Sequence, residues 1–171
     1  SVVIKIMYYK IGRNGIMDYY IRKAVLEDIN EILGIIKDGK QYLKEQGLPQ
    51  WQDGTEPKLE MIAGDIEQEE GYVLIYQYHI CGYASLVRGI DSCYAGISEG
   101  KWEDGYPEYL SIHRVAVNSR NRGLGLAKKF MQELIIEAQL LGYHDIRIDT
   151  YPRNEIMKKV ILNAGFIYRG M

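Results

Sequence analysis

The segment Arg120-Asn121-Arg122-Gly123-Leu124-Gly125-Leu126-Ala127 carries the clearest chemical signal in this chain. A strand-like run, residues 108–117, leads into them, and a helical run follows with Lys128 and Lys129 in its first turns. A loop that opens a helix presents backbone N–H groups with no partner, and the helix dipole adds partial positive charge. Gly123 and Gly125 carry no side chain to hold a ligand off the backbone, and Arg120 and Arg122 add charge. The ligand that fits is a phosphate or diphosphate. Two common phosphate loops fail on a required residue. The P-loop needs Gly-Lys followed by Ser or Thr, but Gly125 is followed by Leu-Ala-Lys-Lys, with no hydroxyl to hold magnesium. A dinucleotide loop needs a third glycine where this chain has Lys128. A third pattern, Arg or Gln-x-x-Gly-x-Gly or Ala, fits as Arg122 to Ala127, and again as Arg120 to Gly125. The first register leaves the loop after Val117 its usual length. Without a ligand, the same residues read as a glycine-rich turn joining strand to helix.

The elements that must position this loop follow from periodicity. Tyr19 to Ala24 reads as a short strand. Leu26, Ile29, Ile32, Leu33 and Ile36 recur with helical spacing, and that helix continues or restarts through Tyr42 and Leu43 before Gly47-Leu48-Pro49. Thr55-Glu56-Pro57 predicts a second helix start, with Thr55 as its cap and Leu59, Ile62 and Ile66 as its buried face. Residues 72–77 and 80–87 read as a β-hairpin. The connection 88–107 is long and glycine-rich and carries Tyr94, Trp102 and Tyr106, which points to a binding role or mobility. Residues 108–117 predict a central strand, with Ser111, His113, Val115 and Val117 on one face by strand alternation. The helix after the loop places Ala127, Phe130, Met131, Leu134, Ala138 and Leu141 on one face and stops at Gly142. Residues 144–150 predict a strand. Pro152 and Asn154 open a short helix with Ile156, Met157, Val160 and Ile161 inward and Gly165 as its stop, and Phe166 begins a last strand. The order is mixed α/β, with a parallel right-handed crossover across 108–150.

Composition narrows the function class. The chain has 171 residues, enough for one domain with a substantial core. Its formal net charge is −2, so no global basic field recruits nucleic acid or an acidic membrane. Two cysteines, Cys81 and Cys93, are too few for a disulfide scaffold or a Cys-built zinc site and read as reduced thiols. No apolar run approaches the roughly 20 residues of a membrane span, and Lys5 and Lys10 break the apolar N-terminus before any signal-peptide pattern forms. The expectation is a cytoplasmic protein without a metal. Eighteen Gly and fifteen Tyr, against two Trp and two Phe, are left unexplained by composition alone.

With these motifs in order, the chain resembles the GNAT superfamily of N-acetyltransferases. Residues 109–117 look like that family's central strand, 122–138 like its diphosphate loop and helix, and 154–166 like its later Asn-x(11)-Gly-Phe segment. The resemblance implies a mixed, mostly antiparallel sheet with helices on both faces and a central parallel strand pair splayed at a cofactor cleft. It implies a single domain over residues 18–171 after an extension at 1–17. A further strand that relatives usually carry beyond Phe166 is apparently missing, unless residues 1–12 supply one.

The resemblance also implies acetyl-coenzyme A as cosubstrate. Its pantetheine arm would pair with Val115, Ala116 and Val117, and its diphosphate would sit on the amides of Arg122, Gly123, Leu124, Gly125, Leu126 and Ala127. Asn154 matches a family residue that touches the cofactor, though Asn is equally a good helix cap. The reaction implied is direct attack of a primary amine on the thioester, with an oxyanion donor on the central strand near Val115. The Tyr that many members place seven residues after the Asn is Ile161 here, so another group is the acid or the thiolate leaves unprotonated. His113 is the base candidate. It matches a His of the arylalkylamine N-acetyltransferases, and an imidazole of pKa about 6.5 suits proton transfer. The position of the more usual Glu is Ser111, and Glu108 would need a register shift. Trp51, Asp149 and Tyr151, with the aromatic and acidic loops around Asp53, Trp102, Glu103, Asp104, Tyr106 and Glu108, suggest an acceptor that is a small amine, an amino-acid-like molecule or a peptide. A homodimer is left open. The alternative is a non-catalytic module of the same fold that holds or senses acyl-coenzyme A.

Overall fold

The computed structural model describes residues 19–102 and 108–171. The expected extension at 1–17, including any strand at 1–12, lies outside them, as do Glu103, Asp104 and Tyr106.

Five strands form one sheet in chain order: β1 (Tyr19–Lys23), β2 (Gly71–Tyr76), β3 (His79–Arg88), β4 (Leu110–Val117) and β5 (Ile146–Ile148). The first three pairings are antiparallel, and β4 with β5 is parallel. β2 and β3 turn at Gln77-Tyr78, both with positive φ (47° and 66°), the tight hairpin geometry usually given to Asn-Gly. Both faces of the sheet are covered, so the central strands are apolar on both sides. Tyr72 and Leu74 of β2 join Phe130, Met131, Leu134 and Ala138 of α3 (Leu126–Leu140) in one core layer, with α4 (Glu155–Asn163) packed on α3. Val73 and Ile75 join Ile32, Ile35 and Ile36 of α1 (Ile29–Glu45) and Ile62 of α2 (Leu59–Glu67) in the other. Each such side chain, fully buried, stabilises the fold by about 1.5–3 kcal/mol.

The first helix runs unbroken from Ile29 to Glu45, so it continues through Tyr42 and Leu43 rather than restarting. Several other local expectations are corrected. Thr55 caps nothing: its hydroxyl donates to Gln52 O at 2.7 Å inside a turn, and α2 begins after Lys58. The local side-chain bond competes with the cap, as it does for Ser and Thr generally. On α3 the inward positions include Leu126 rather than Ala127, which lines the cleft, and Leu141 is exposed because it is the C-cap beyond the last helical turn. Ile156 of α4 is exposed as well, at the rim of a cleft described below. Residues 166–171 form no strand. Ile167 and Tyr168 are exposed, and the tail instead exchanges backbone bonds between Met171 and Ser98. β5, three residues long, offers little ladder to extend.

Strand alternation also fails on β4. Tyr83 faces Ala116 and Ser85 faces His113, so β4 carries one extra residue there, and Arg114 takes φ 58°. This is a β-bulge. It resets the faces: Ile112, Val115 and Val117 lie toward the α3 layer, while Ala116 lies toward α1. His113 therefore does not share a face with Val115 and Val117.

Cys81 sits in the α3 layer, 2% exposed, and burial pushes its thiol up to about 11. Only the thiolate alkylates. At pH 8 iodoacetamide is expected to leave Cys81 unmodified in the native protein and to modify it quickly in guanidinium chloride. Peptide mass mapping of Cys81 checks this, and rapid native labelling contradicts it.

Candidate active site

β4 and β5 pair only as far as Ile112 and Ile148, and β4 then runs five residues further without that neighbour. The edges part, and a cleft of about 830 Å³ opens between them. Residues 112–117 line one wall, Ile148, Asp149 and Thr150 the other, and Gly39, Tyr42 and Trp51 close it from the α1 side. Asn118 N–H donates to Cys81 O at 2.7 Å. By strand alternation the Ala116 amide faces β3 with it, and the Val117 amide faces the cleft.

The floor of the cleft leads to the glycine-rich loop. Gly123 (φ 81°) and Gly125 (φ 70°) hold left-handed conformations that favour glycine, and no atom lies within 4 Å of where a Cβ would stand on either. Among the described residues, the amides of residues 123–127 donate to no backbone carbonyl, and Gly125 caps α3 without a side-chain bond. This is an open cradle of N–H donors at a helix N-terminus, and a diphosphate fits it. Arg122, Gly123, Gly125, Leu126 and Ala127 line the cleft; Leu124 stands outside it, on the exposed tip. Arg120 does not line it, in keeping with the register that begins at Arg122.

Two contacts from α1 hold this loop, and periodicity alone pointed to neither. Asp38 accepts from Ser119 N–H at 2.7 Å and from the Ser119 hydroxyl. One helical turn on, the Tyr42 ring lies 3.6 Å beneath the Arg122 guanidinium. Asn154 is the N-cap of α4, its Oδ1 accepting from Met157 N–H at 3.1 Å and its Nδ2 donating to Gln50 Oε1 at 2.8 Å. It also lines the cleft. Ile161 packs against the core, one helical position beyond the cleft-lining Val160.

At the other end, His113 lines the cleft with Nε2 2.9 Å from Asp91 Oδ2. Tyr94, in the 3₁₀ turn Ser92–Tyr94, lies nearly parallel to the imidazole, and its hydroxyl donates to Asp149 Oδ1 at 2.9 Å. Trp51 and Asp149 are cleft residues; Tyr151 is not, and its ring lies under Arg153 instead. Trp102 donates from Nε1 to Tyr94 O and lies over Arg147. Asp53 is exposed in a turn, Glu108 is exposed before β4, and Ser111 is fully buried away from the cleft.

The bulge that aims His113 is held from below. Arg114 donates to both oxygens of Asp65, from Nε at 2.9 Å, and the buried Tyr83 hydroxyl donates to Asp65 at 2.6 Å. Burial and that carboxylate push the Tyr83 phenol well above its usual range.

Parallel strands parting beside a cradle of free amides at a helix N-terminus are the architecture of an acyltransferase fold, as comparison with known proteins shows. The chain belongs to the Acetyltransferase (GNAT) family, whose model matches residues 26–166. It is 23% identical over 170 residues to YesJ, an uncharacterized N-acetyltransferase of Bacillus subtilis, covering 95% of this chain and 89% of that one. A GNAT family acetyltransferase from Streptococcus agalactiae superposes with a TM-score of 0.81 at 30% identity, over 91% of this chain and 89% of its own. A predicted acetyltransferase from Clostridium acetobutylicum, solved with acetyl-CoA, shares the fold with a TM-score of 0.60 at 17% identity, over 88% and 90% of the two chains. The protein is thus an acyltransferase. No helix among the described residues is long and apolar enough to cross a membrane.

Replacing Asp65 with Ala leaves the Arg114 guanidinium and the Tyr83 hydroxyl without their shared carboxylate. The expected loss is about 3 kcal/mol of stability, read from urea unfolding. An unchanged midpoint contradicts the role given to this pair.

Proposed function

We propose that the protein transfers an acetyl group from acetyl-coenzyme A to a primary amine in a ternary complex. The observation that carries this reading is the continuity of the parted β4 edge with the free amides of residues 123–127. A strand edge suits an extended amide-bearing arm, and the cradle suits a diphosphate. The Clostridium neighbour's acetyl-CoA supports the same ligand. When bound, the cofactor supplies the thioester carbonyl that the amine attacks.

The chain's own residues then have separable tasks. Val115, Ala116 and Val117 hold the arm, and Arg122 with the loop amides through Ala127 hold the diphosphate. The Val115 amide, on the strand that lines the cleft, is the candidate donor to the oxyanion. Asn154 shapes the cleft and fastens α4 to Gln50. His113 takes the proton that an ammonium must lose before its nitrogen can attack. Position 161 offers no acid, and a thiol of pKa about 8.5 leaves tolerably as thiolate near neutral pH. Trp51, Asp149 and the Asp91 carboxylate favour an acceptor that is cationic before reaction.

The test is release of free thiol from acetyl-coenzyme A with benzylamine, spermidine, kanamycin and a lysine peptide as acceptors. Turnover with any of them is the expected result. Tight cofactor binding with turnover of none favours the holding or sensing module instead. His113→Ala is expected to lower kcat about 100-fold between pH 6 and 9, and a full rate across that range contradicts the base role.

A further inference from the structure

A neutral imidazole accepts a proton only at the nitrogen that carries none, and the surroundings of His113 decide which nitrogen that is. Nε2 lies 2.9 Å from Asp91 Oδ2. A carboxylate has no proton to donate, so the hydrogen bond needs the proton on Nε2. Among the described residues Nδ1 makes no hydrogen bond. Asp91 is itself held in place: its backbone N–H donates to the Tyr109 hydroxyl at 2.7 Å, and that hydroxyl reaches back to Asp91 O at 3.4 Å. Tyr94 braces the other side of the ring, stacked on His113 with centroids 6.2 Å apart, edge-on to Tyr109, and tied to Asp149. Two segments far apart in the chain therefore fix one imbalance between the two ring nitrogens.

We propose that Asp91 is a positioning residue that holds His113 as the Nε2–H tautomer, leaving Nδ1 as the atom that takes the acceptor's proton. This rests on the base role given to His113 above. The balance is simple. The ammonium N–H bond breaks with its electron pair kept by nitrogen, and the proton goes to Nδ1. The nitrogen pair then forms the C–N bond as the C–S bond breaks onto sulfur. Of the two protons the ammonium loses, the one on Nδ1 leaves for solvent and the other ends on the departing thiolate. Asp91 stays ionised throughout and supports the imidazolium in between, the general logic of an orienting carboxylate behind a histidine base.

The decisive measurement is a long-range ¹H–¹⁵N spectrum of the histidine rings at pH 8, with His113 assigned by its loss in His113→Gln. The expected signal is a single Nε2–H tautomer for His113, becoming a mixture of both tautomers in Asp91→Ala and returning in Asp91→Glu. With the best acceptor of the four amines, Asp91→Ala is expected to lower kcat about tenfold and leave the KM for acetyl-coenzyme A unchanged. The double variant with His113→Gln should lose no more rate than His113→Gln alone. An Nδ1–H signal in the unmutated protein overturns the proposal whatever the rates are. So do losses that multiply in the double variant. A fully active His113→Gln beside an intact Nε2–H signal overturns the base role and leaves the pairing standing, so the two failures are told apart.

Discussion

The structure depends on a single interrupted hydrogen-bond ladder. β4 and β5 are paired through Ile112 and Ile148 and then separate. A strand edge without a neighbouring strand leaves N–H and C=O groups that need another partner. Here that edge faces an open cleft, which water or a ligand can reach. On the α1 side Trp51 packs against Gly39 and lines the gap, and on the other side α4 packs against α3.

The bulge at Arg114 is the second half of the same device. An extra residue turns His113 and Arg114 away from the α3 layer while Val115 and Val117 return to it. A left-handed φ at an arginine is strained, and the bidentate grip of Asp65, reinforced by Tyr83, offsets that strain. One wall of the cleft thereby offers backbone amides, and the neighbouring position offers an imidazole. The glycine-rich loop is tethered from the helix that lines the cleft, through Asp38 and Tyr42.

The abundance of tyrosine acquires a partial physical meaning. Tyr83 anchors the bulge, Tyr42 lies beneath Arg122, and Tyr94 and Tyr109 frame Asp91 and His113. Each couples a flat apolar body to a polar tip, which suits walls that are packed on one side and polar on the other. Sequence reading singled out Tyr94 only as an aromatic in a long connection. It had no means of pairing Asp91 with a histidine twenty-two residues away.

What is local in this protein is legible in its residues. Hydrophobic periodicity marked the strands and helices to within a few residues, Gly142 and Gly165 marked two helix ends, and Arg122 to Ala127 with the flanking elements marked the family. Those signals are readable because backbone conformation and helix-end chemistry act over a few residues. The features that emerge only in the packed chain are non-local or break a period. The bulge hides in β4 because no residue there forbids regular alternation, and it exists because Asp65, forty-nine residues earlier, reaches Arg114. The same holds for Thr55, whose cap was pre-empted by a turn, for the tail after Phe166, which found no ladder to join, and for the Asp91–His113 pair, which is made only when the connection after β3 folds back over the central strand.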